Sequence, residues 1–158
     1  MAVDTFLDTS VLLGGLIYFG PQSGAAQSVM HAVAEKQISQ PATAWHCCLE
    51  FYSVATRLPP EFRLTPADAA TLVQEEVFGR MSVHGLPTAD RLALLKTAAQ
   101  DGIAGGRIYD AHIAEVARAA GAKVVITDNR RHFLSALRYG IRVETPSEFV
   151  AALKPRRA

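Results

Sequence analysis

Three acidic residues of this chain stand in sequence surroundings that do not suit a lone carboxylate. Asp8 follows Phe6-Leu7 and precedes Val11-Leu12-Leu13, and the first thirty residues contain no Lys or Arg. Burying an ionised carboxylate without a partner costs many kcal/mol, so such a group is paired, protonated or bound to a metal. A group from another part of the fold must therefore neutralise Asp8.

Glu50 is the second of these acids. Segment 42–55 contains no Lys, no Arg and no other acid, and a helix that is apolar nearly all round is expected to be buried nearly all round. Glu50 shares a stripe with Phe51 and Val54, which directs its carboxylate inward. The alternative is a Glu that reaches past the helix end or pairs with a distant Arg. His46, one turn earlier, is either a further metal ligand or a core residue beside the ligands.

Asp110 is the third acid and begins a predicted helix. It shares a face with Ala114 and Ala117, and such small residues imply close packing that turns the carboxylate inward. The alternative is a purely structural acid, because the free amides and the macrodipole at a helix N-terminus favour negative charge. Three carboxylates of this kind point to a shared cation, so we expect Asp8, Glu50 and Asp110 to converge within metal-coordination distance.

A fourth polar group follows an apolar strand pattern at 124–127. In open α/β sheets, ligands gather where the carboxyl ends of strands meet helix N-termini. Asp8 and either Asp128 or Asn129 are therefore expected at the same edge of the sheet. The alternative is that Asp128 and Asn129 cap a helix over 130–138.

The elements that must hold these residues alternate between strand and helix patterns. Strands are predicted at 3–10, 38–40, 81–86, 123–127 and 141–143, and helices at 25–36, 41–57, 65 onward, 88–100, 108–120, 130–138 and 146–153. Gly14-Gly15 predicts a break after the first strand, Thr65 predicts a helix cap, and Gly121 predicts a helix end. The alternation predicts an α/β, three-layer domain with a mainly parallel central sheet flanked by helices.

Composition is that of a globular protein. The chain has 158 residues, of which 49% are hydrophobic and 20% charged, with a net charge of +1. This predicts a single domain over residues 1–153, and the basic stretch 154–158 is expected to be a disordered tail. The net charge argues neither for nor against nucleic acid. However, eight arginines fall after residue 106, and they form either a basic patch or a solvated surface.

The two cysteines and the hydropathy bear on the compartment. Cys47 and Cys48 are neighbours and the only cysteines. A disulfide between adjacent residues is strained, so a reducing compartment is favoured. The chain opens without a leader pattern, and no run approaches the roughly 18 apolar residues of a transmembrane helix. These features predict a cytoplasmic protein that has no membrane partner.

Four short motifs occur in order along the α/β pattern. They are Phe6-Leu7-Asp8-Thr9-Ser10, Leu49-Glu50-Phe51-Tyr52, Gly106-Arg107-Ile108-Tyr109-Asp110-Ala111-His112, and Val125-Ile126-Thr127-Asp128-Asn129 with His132-Phe133. Together they resemble the motifs of PIN-domain proteins and, within that family, of the VapC-type toxins of prokaryotic toxin–antitoxin pairs. Each motif alone is weak, but the ordered set, from residue 5 to about residue 135, is fairly specific.

The resemblance implies a metal-dependent endoribonuclease that hydrolyses RNA phosphodiester bonds and acts as the toxin of such a pair. On this reading, Asp8, Glu50 and Asp110 match the family's first three acidic positions and hold Mg²⁺ or Mn²⁺. Such hard cations take oxygen ligands and keep several waters, and the bound ion activates a water for attack on phosphorus. The side chains expected to hydrogen-bond the carboxylates are Thr9, Ser10 and Thr127, and those expected to bind phosphates are Arg107, Arg130 or Arg131.

The fourth acidic position departs from the family pattern. Family members carry Asp or Asn two residues after the Thr, which here is Asn129, and often another acid near the position of His132. Asp128 is acidic but displaced by one residue. Whether Asp128, Asn129 or His132 completes the site, and whether it takes one ion or two, stays open. An alternative is therefore a catalytically weak PIN module that binds nucleic acid or a partner protein.

Two further predictions concern other classes and partners. A haloacid-dehalogenase-type phosphatase also begins with an Asp after a strand, but it needs a second Asp two residues later, where this chain has Ser10.

The resemblance implies a cognate antitoxin and a homodimer. Segments 51–54 and 64–78 offer more apolar positions than one face of a small domain buries, which is typical of interaction sites. The alternative is that these residues fill the core.

Overall fold

Five parallel strands form the centre of the structure, a computed structural model that describes residues 3–153. The strand order is β3-β2-β1-β4-β5, and every neighbouring pair is parallel. The strands are Thr5–Leu7 (β1), Pro41–Ala44 (β2), Ser82–His84 (β3), Val124–Ile126 (β4) and Arg142–Glu144 (β5). Because β1 is the middle strand, its carboxyl end lies beside those of β2 and β4.

Helices connect the strands and flank the sheet, which confirms the predicted α/β three-layer fold. They are Thr9–Leu16 (α1), Gly24–Ala34 (α2), Trp45–Ala55 (α3), Pro66–Leu72 (α4), Arg91–Gln100 (α5), Arg107–Ala119 (α6) and Pro146–Leu153 (α7). The 3₁₀ segments are Pro21–Ser23, Thr88–Asp90 and Arg130–Tyr139, and α4 continues as the π-helical segment Val73–Phe78. Within residues 3–153, no helix is both long and apolar enough to cross a bilayer. The predicted tail 154–158 lies outside the described residues.

The middle strands are buried on both faces, as the apolar pattern of the fourth strand predicted. Phe6 and Leu7 of β1 and Val125 and Ile126 of β4 have no exposed surface. Phe6 pairs in register with Val125, and Leu7 with Ile126. This register aligns the ends of β1 and β4, so the residues that follow both strands emerge at one place.

The predicted break at Gly14-Gly15 is wrong, because α1 runs through both glycines. The first strand is also shorter than predicted and ends at Leu7. A Cβ atom at Gly14 would lie 3.1 Å from the Cβ of Ala26, and one at Gly15 would overlap Met30. The two glycines therefore allow α1 and α2 to pack closely, a role that their sequence signal as chain breakers concealed.

The second strand and the helix after it are displaced from the prediction. The strand is Pro41–Ala44, not 38–40, and α3 begins at Trp45 rather than at Pro41. Proline suits the first residue of a strand as well as the start of a helix, so local preference did not decide between them. Pairing of Ala42 with Phe6 and Ser82 decides it in favour of the strand.

The other boundaries follow the local signals more closely. Thr65 caps α4, and its Oγ1 accepts a hydrogen bond from the amide of Asp68 at 3.1 Å. Gly121 follows α6 with a φ of 84°, the left-handed conformation that its lack of a Cβ permits. Arg107, predicted in a connection, is the first residue of α6. The helix predicted over 88–100 divides into a 3₁₀ turn and α5.

Candidate active site

Asp8 lies directly after β1, at the position that precedes α1, and is 4% exposed. Its Oδ2 accepts a hydrogen bond from the hydroxyl of Ser10 at 2.9 Å and from that of Thr127 at 2.8 Å. Its backbone amide donates to the carbonyl of Ile126 at 3.1 Å. The carboxylate is therefore held by two neutral hydroxyls, both of which the sequence predicted to hydrogen-bond the acids.

Burial dominates the electrostatics of Asp8. Removal from water raises the pKa of Asp8 above its usual value of 3.8, and the hydrogen bonds from Thr127 and Ser10 lower it in part. Hydroxyl groups stabilise the charged form but bring no positive charge. The anionic form of Asp8 is therefore destabilised in the folded protein, and a cation bound beside it would relieve that cost.

Glu50 projects from α3 and is half-exposed, with 39% of its side chain accessible. Its Oε1 accepts a hydrogen bond from the hydroxyl of Thr9 at 3.0 Å and lies 3.2 Å from Nε2 of His46. Partial burial raises the pKa of Glu50, Thr9 and His46 lower it, and the charges of Asp8 and Asp110 raise it again. Both acids are therefore close enough to Glu50 to repel it.

The expectation that α3 is buried nearly all round is wrong. Trp45 is 49% exposed, Leu49 51% and Tyr52 40%, while Cys47 and Phe51 are buried. One face of α3 packs on the core and an apolar face remains accessible. The polarity pattern could not distinguish these faces, because both carry apolar residues.

Asp110 lies in the first turn of α6, and 28% of its side chain is accessible. Its Oδ2 is 2.9 Å from Nδ1 of His132. Partial burial raises the pKa of Asp110, the charge of His132 lowers it, and the charge of Asp8 raises it. Asp110 thus faces the other acids rather than serving only its own helix end.

The fold brings the three predicted carboxylates into one region, since the charge of Asp8 raises the pKa of both Glu50 and Asp110. Within residues 3–153, however, no group of three or more His, Cys, Asp or Glu side chains is placed to hold a metal ion. Glu50 and Asp110 each contact a histidine.

Asp128 and Asn129 lie at the rim of this region and are exposed. The amide of Asp128 donates to Oγ of Ser10 at 3.1 Å, and that of Asn129 donates to Oγ1 of Thr127 at 2.9 Å. Partial burial and the charge of Asp8 raise the pKa of Asp128. The Asn129 side chain makes no capping hydrogen bond to the 3₁₀ helix after it, so the capping alternative does not apply to that residue.

Two histidines whose roles the sequence left open contact the acids of the candidate site. His46 contacts Glu50, and His132 contacts Asp110. The spacing of His46 and Glu50, four residues apart on one helix, was the available signal for the first contact. The second contact joins α6 to the segment after β4, and no local pattern carries that information.

Comparison with known proteins identifies the family. The PIN domain family matches residues 4–131. Ribonuclease VapC40 of Mycobacterium tuberculosis (strain CDC 1551 / Oshkosh) is 30% identical over 127 residues, which are 78% of this chain and 85% of that protein. Ribonuclease VapC27 of Mycobacterium tuberculosis (strain ATCC 25618 / H37Rv) is 37% identical over 89 residues, 56% of this chain, and the match spans 63% of that protein, less than two thirds.

A solved structure agrees with the family at the level of the fold. DNA-bound VapBC from Salmonella typhimurium is similar with a TM-score of 0.62 at 21% identity, over 91% of this chain and 98% of that chain. The sequence match, the relatives and the shared architecture lead to one conclusion. The chain belongs to the PIN-domain family.

Proposed function

We propose that this protein is a metal-dependent endoribonuclease that acts as the toxin of a toxin–antitoxin pair. It would hydrolyse RNA phosphodiester bonds at the region that holds Asp8, Glu50 and Asp110. Family membership supports the proposal, and so do the two relatives, both of which are named ribonucleases. Among observations of the molecule, the one that carries it is the gathering of these three acids from separate elements.

The three carboxylates suit a hard divalent cation in their chemistry. All are oxygen donors, burial raises the pKa of each, and the charge of Asp8 raises the pKa of Glu50 and of Asp110 further. Mg²⁺ and Mn²⁺ accept carboxylate oxygens and retain water, so they do not require a closed cage of protein ligands. Asp8, Glu50 and Asp110 would hold the ion, with Asp128 or Asn129 at the rim, and the acids would have to approach one another to do so.

The remaining groups of the region position the acids. The hydroxyls of Ser10 and Thr127 orient Asp8, and the hydroxyl of Thr9 orients Glu50. A bound divalent ion supplies an activated water and offsets charge on the phosphoryl oxygens. The hydroxyls of Ser10 and Thr127 would keep the Asp8 carboxylate in one orientation in which it can bind that ion.

A basic groove, lined by arginines, lies beside Asp110 and is the proposed binding site of the substrate phosphates. Arg107, Arg131 and Arg138 line a cavity of about 200 Å³ together with Asp110 and His132. Arg138 is paired with Asp101 at 2.7 Å, so Arg107 and Arg131 are the better candidates for phosphate contacts. The planar guanidinium group offers two parallel donors to a phosphate.

An apolar groove lies between α3 and the segment 70–78 and is the proposed binding site of a protein partner. Trp45, Leu49, Tyr52 and Phe78 line a cavity of about 450 Å³, and all four side chains are at least 40% exposed. The Salmonella neighbour was solved as VapBC, which supports an antitoxin as one partner. We propose that this groove, which we term the partner groove, takes the antitoxin or forms the contact of a homodimer.

Cleavage of single-stranded RNA with Mn²⁺, compared with the same reaction in EDTA, tests the proposed activity. We expect cleavage with the metal only, and loss of cleavage in the Asp8→Asn variant. Cleavage that continues in EDTA would contradict the metal requirement. A protein that leaves RNA intact under both conditions would contradict the nuclease.

A catalytically weak PIN module is the second candidate. Two observations favour it: His132 stands where the family often has an acid, and the described acids are not arranged to hold a metal. Such a module would bind RNA in EDTA and in Mn²⁺ equally and cut it in neither. Comparison of RNA binding and cleavage in the same samples separates the two candidates.

A further inference from the structure

A pocket on the other side of α6 from the basic groove is lined by aromatic rings. It has a volume of about 460 Å³, within the range of small-molecule sites. Its wall includes Trp45, His46, Tyr109 and His112, with Leu49 and Leu94 as apolar neighbours. We term it the aromatic pocket. No residue of this pocket is among the proposed metal ligands.

The rings of the aromatic pocket are ordered against one another. His46 and Tyr109 are stacked, with ring centroids 5.3 Å apart and an angle of 18° between the planes. His112 meets His46 edge to face at 5.2 Å. Tyr109 is nevertheless 54% exposed, so a large part of its ring remains available to a further flat group.

The aromatic pocket adjoins the acidic region through two direct links. His46 lies in its wall and contacts Glu50 at 3.2 Å. Tyr109 is next in sequence to Asp110, and both lie in the first turn of α6. Tyr109 lines the aromatic pocket, while Asp110 lines the basic groove. An RNA strand that crosses the start of α6 would therefore contact arginines on one side of the helix and aromatic rings on the other.

We propose that the aromatic pocket binds a nucleobase of the RNA strand, from a nucleotide next to the phosphate that lies at the acids. This inference rests on the proposed nuclease function and adds a subsite to it. Single-stranded RNA is recognised through splayed bases that stack on aromatic side chains. Tyr109, backed by His46, supplies the stacking surface.

Polar groups at the edge of the pocket can contact the edge of a base. His84, Arg91 and His112 line it, and Nε2 of His84 lies 2.8 Å from Oγ of Ser82. These groups are donors and acceptors set in a mostly apolar wall, an arrangement that orients a ligand within its site. Stacking on Tyr109 would supply affinity, and these edge contacts would supply preference among bases.

The chain contains a built-in reporter for this pocket. Trp45 is its only tryptophan, and it lies in the pocket wall. The probe is a single-stranded RNA hexamer, titrated in EDTA so that no cleavage occurs, and the comparison strand has the same ribose–phosphate backbone without bases. We expect the hexamer to quench Trp45 emission and the abasic strand to leave it unchanged.

Substitution of Tyr109 tests the stacking surface directly. We expect Tyr109→Ala to weaken hexamer binding about tenfold, in line with stacking on one aromatic side chain, and Tyr109→Phe to retain affinity within about twofold. Tyr18→Ala is the matched control, because Tyr18 is also exposed, at 62%, and belongs to neither described pocket of α3. Thermal midpoints of all three variants check that the fold is kept.

Several outcomes would overturn the base site. Equal quenching by the abasic strand, or unchanged affinity in Tyr109→Ala, would show that phosphates alone are bound. Emission that changes with protein concentration, together with a Tyr109→Ala variant that dissociates, would identify the pocket as a contact between copies. If the wild-type protein fails to cut RNA with Mn²⁺ but binds the hexamer through Tyr109, the nuclease proposal fails and the base site stands.

Discussion

Thr127 donates a hydrogen bond to Oδ2 of Asp8 at 2.8 Å, although 119 residues separate them in sequence. Both residues are buried, and each directly follows a middle strand of the sheet. The register of β1 with β4 places Leu7 beside Ile126, so the next residue of each strand meets at the same edge. This contact fixes the orientation of the most buried acid of the candidate site.

The Asp8→Asn variant is expected to lose metal-dependent RNA cleavage and to keep the fold. Asn removes the buried charge but retains one oxygen that accepts from Ser10 and Thr127, so the free energy of unfolding without metal should rise, by on the order of 1 kcal/mol at neutral pH. Cleavage assays and thermal denaturation in EDTA measure the two effects.

A matched control for this variant lies at the opposite end of the same strand. Asp4 precedes β1 and pairs with Lys123 at 3.2 Å, and Asp4→Asn should leave cleavage at the wild-type rate. Wild-type cleavage by Asp8→Asn would remove Asp8 from the proposed metal ligands.

Thr127→Val is expected to destabilise the protein by about 1–3 kcal/mol, because it leaves a buried carboxylate without one of its donors. It also removes the acceptor of the Asn129 amide hydrogen bond of 2.9 Å. Thr127→Ser keeps the hydroxyl and should recover most of the loss. Urea denaturation of both variants measures the difference. Valine keeps the methyl group and serine keeps the hydroxyl, so a serine variant that is less stable than the valine variant would mean that methyl packing contributes more than hydrogen bonding.

Stability without metal should fall as the pH rises above about 4. Burial raises the pKa values of Asp8, Glu50 and Asp110 above their usual values of 3.8 and 4.5. The folded state then binds more protons than the unfolded state between the usual and the raised values, so the free energy of unfolding decreases with pH in that interval. Asp4 and Glu148 have lowered pKa values and act with the opposite sign at lower pH. Burial lowers the pKa of His112, which acts with the opposite sign just below its usual value of 6.5.

Thermal midpoints in EDTA between about pH 4 and pH 7 measure this dependence. The Asp8→Asn variant should show a smaller decrease, since it lacks one of the three titrating acids. Addition of Mn²⁺ at the upper end should raise the wild-type midpoint more than that of the variant, because ligand binding to the folded state adds stability. A wild-type midpoint that rises steadily over this range would contradict the expected decrease.

Arg131→Ala is expected to weaken RNA binding for all sequences and to reduce its salt dependence. Loss of one phosphate contact lowers the slope of log affinity against log salt by about 0.7 for a single strand. Arg142→Ala is the control. Arg142 is the first residue of β5, so it lies at the amino ends of the strands rather than at their carboxyl ends, and it pairs with Glu144. Binding titrations in EDTA at several salt concentrations measure both slopes, and identical slopes would exclude a phosphate contact by Arg131.

The partner groove predicts self-association of the isolated protein. We expect light scattering to report a dimer in the micromolar range, and Phe78→Asp to shift it towards the monomer, because Phe78 is 52% exposed and lines this groove. Leu92→Asp is the control, since Leu92 is 62% exposed but does not line the groove. A species of 17.0 kDa at every concentration tested would contradict the homodimer and leave the groove to the antitoxin.

The fold class and the acids worth testing follow from the order of residues along the chain. Short apolar strands alternating with helical patterns predict a mainly parallel sheet, because helical crossovers cover both of its faces and bury its strands. Asp8 stood out for the same reason, as a carboxylate in an apolar run. Local chemistry also predicted the Thr65 cap and the end of α6 at Gly121, since each depends on residues within one helical turn.

Contacts between residues far apart in sequence account for the features that the local patterns missed. Gly14 and Gly15 read as a break, but their close approach to α2 makes them part of a helix. Pro41 begins a strand because β1 and β3 pair with the residues after it. The contacts of Glu50 with Thr9 and of Asp110 with His132 likewise join elements far apart in sequence. Pairing between distant residues supplies the free energy that determines these element bounds and side-chain contacts. A local sequence pattern carries no information about such pairing.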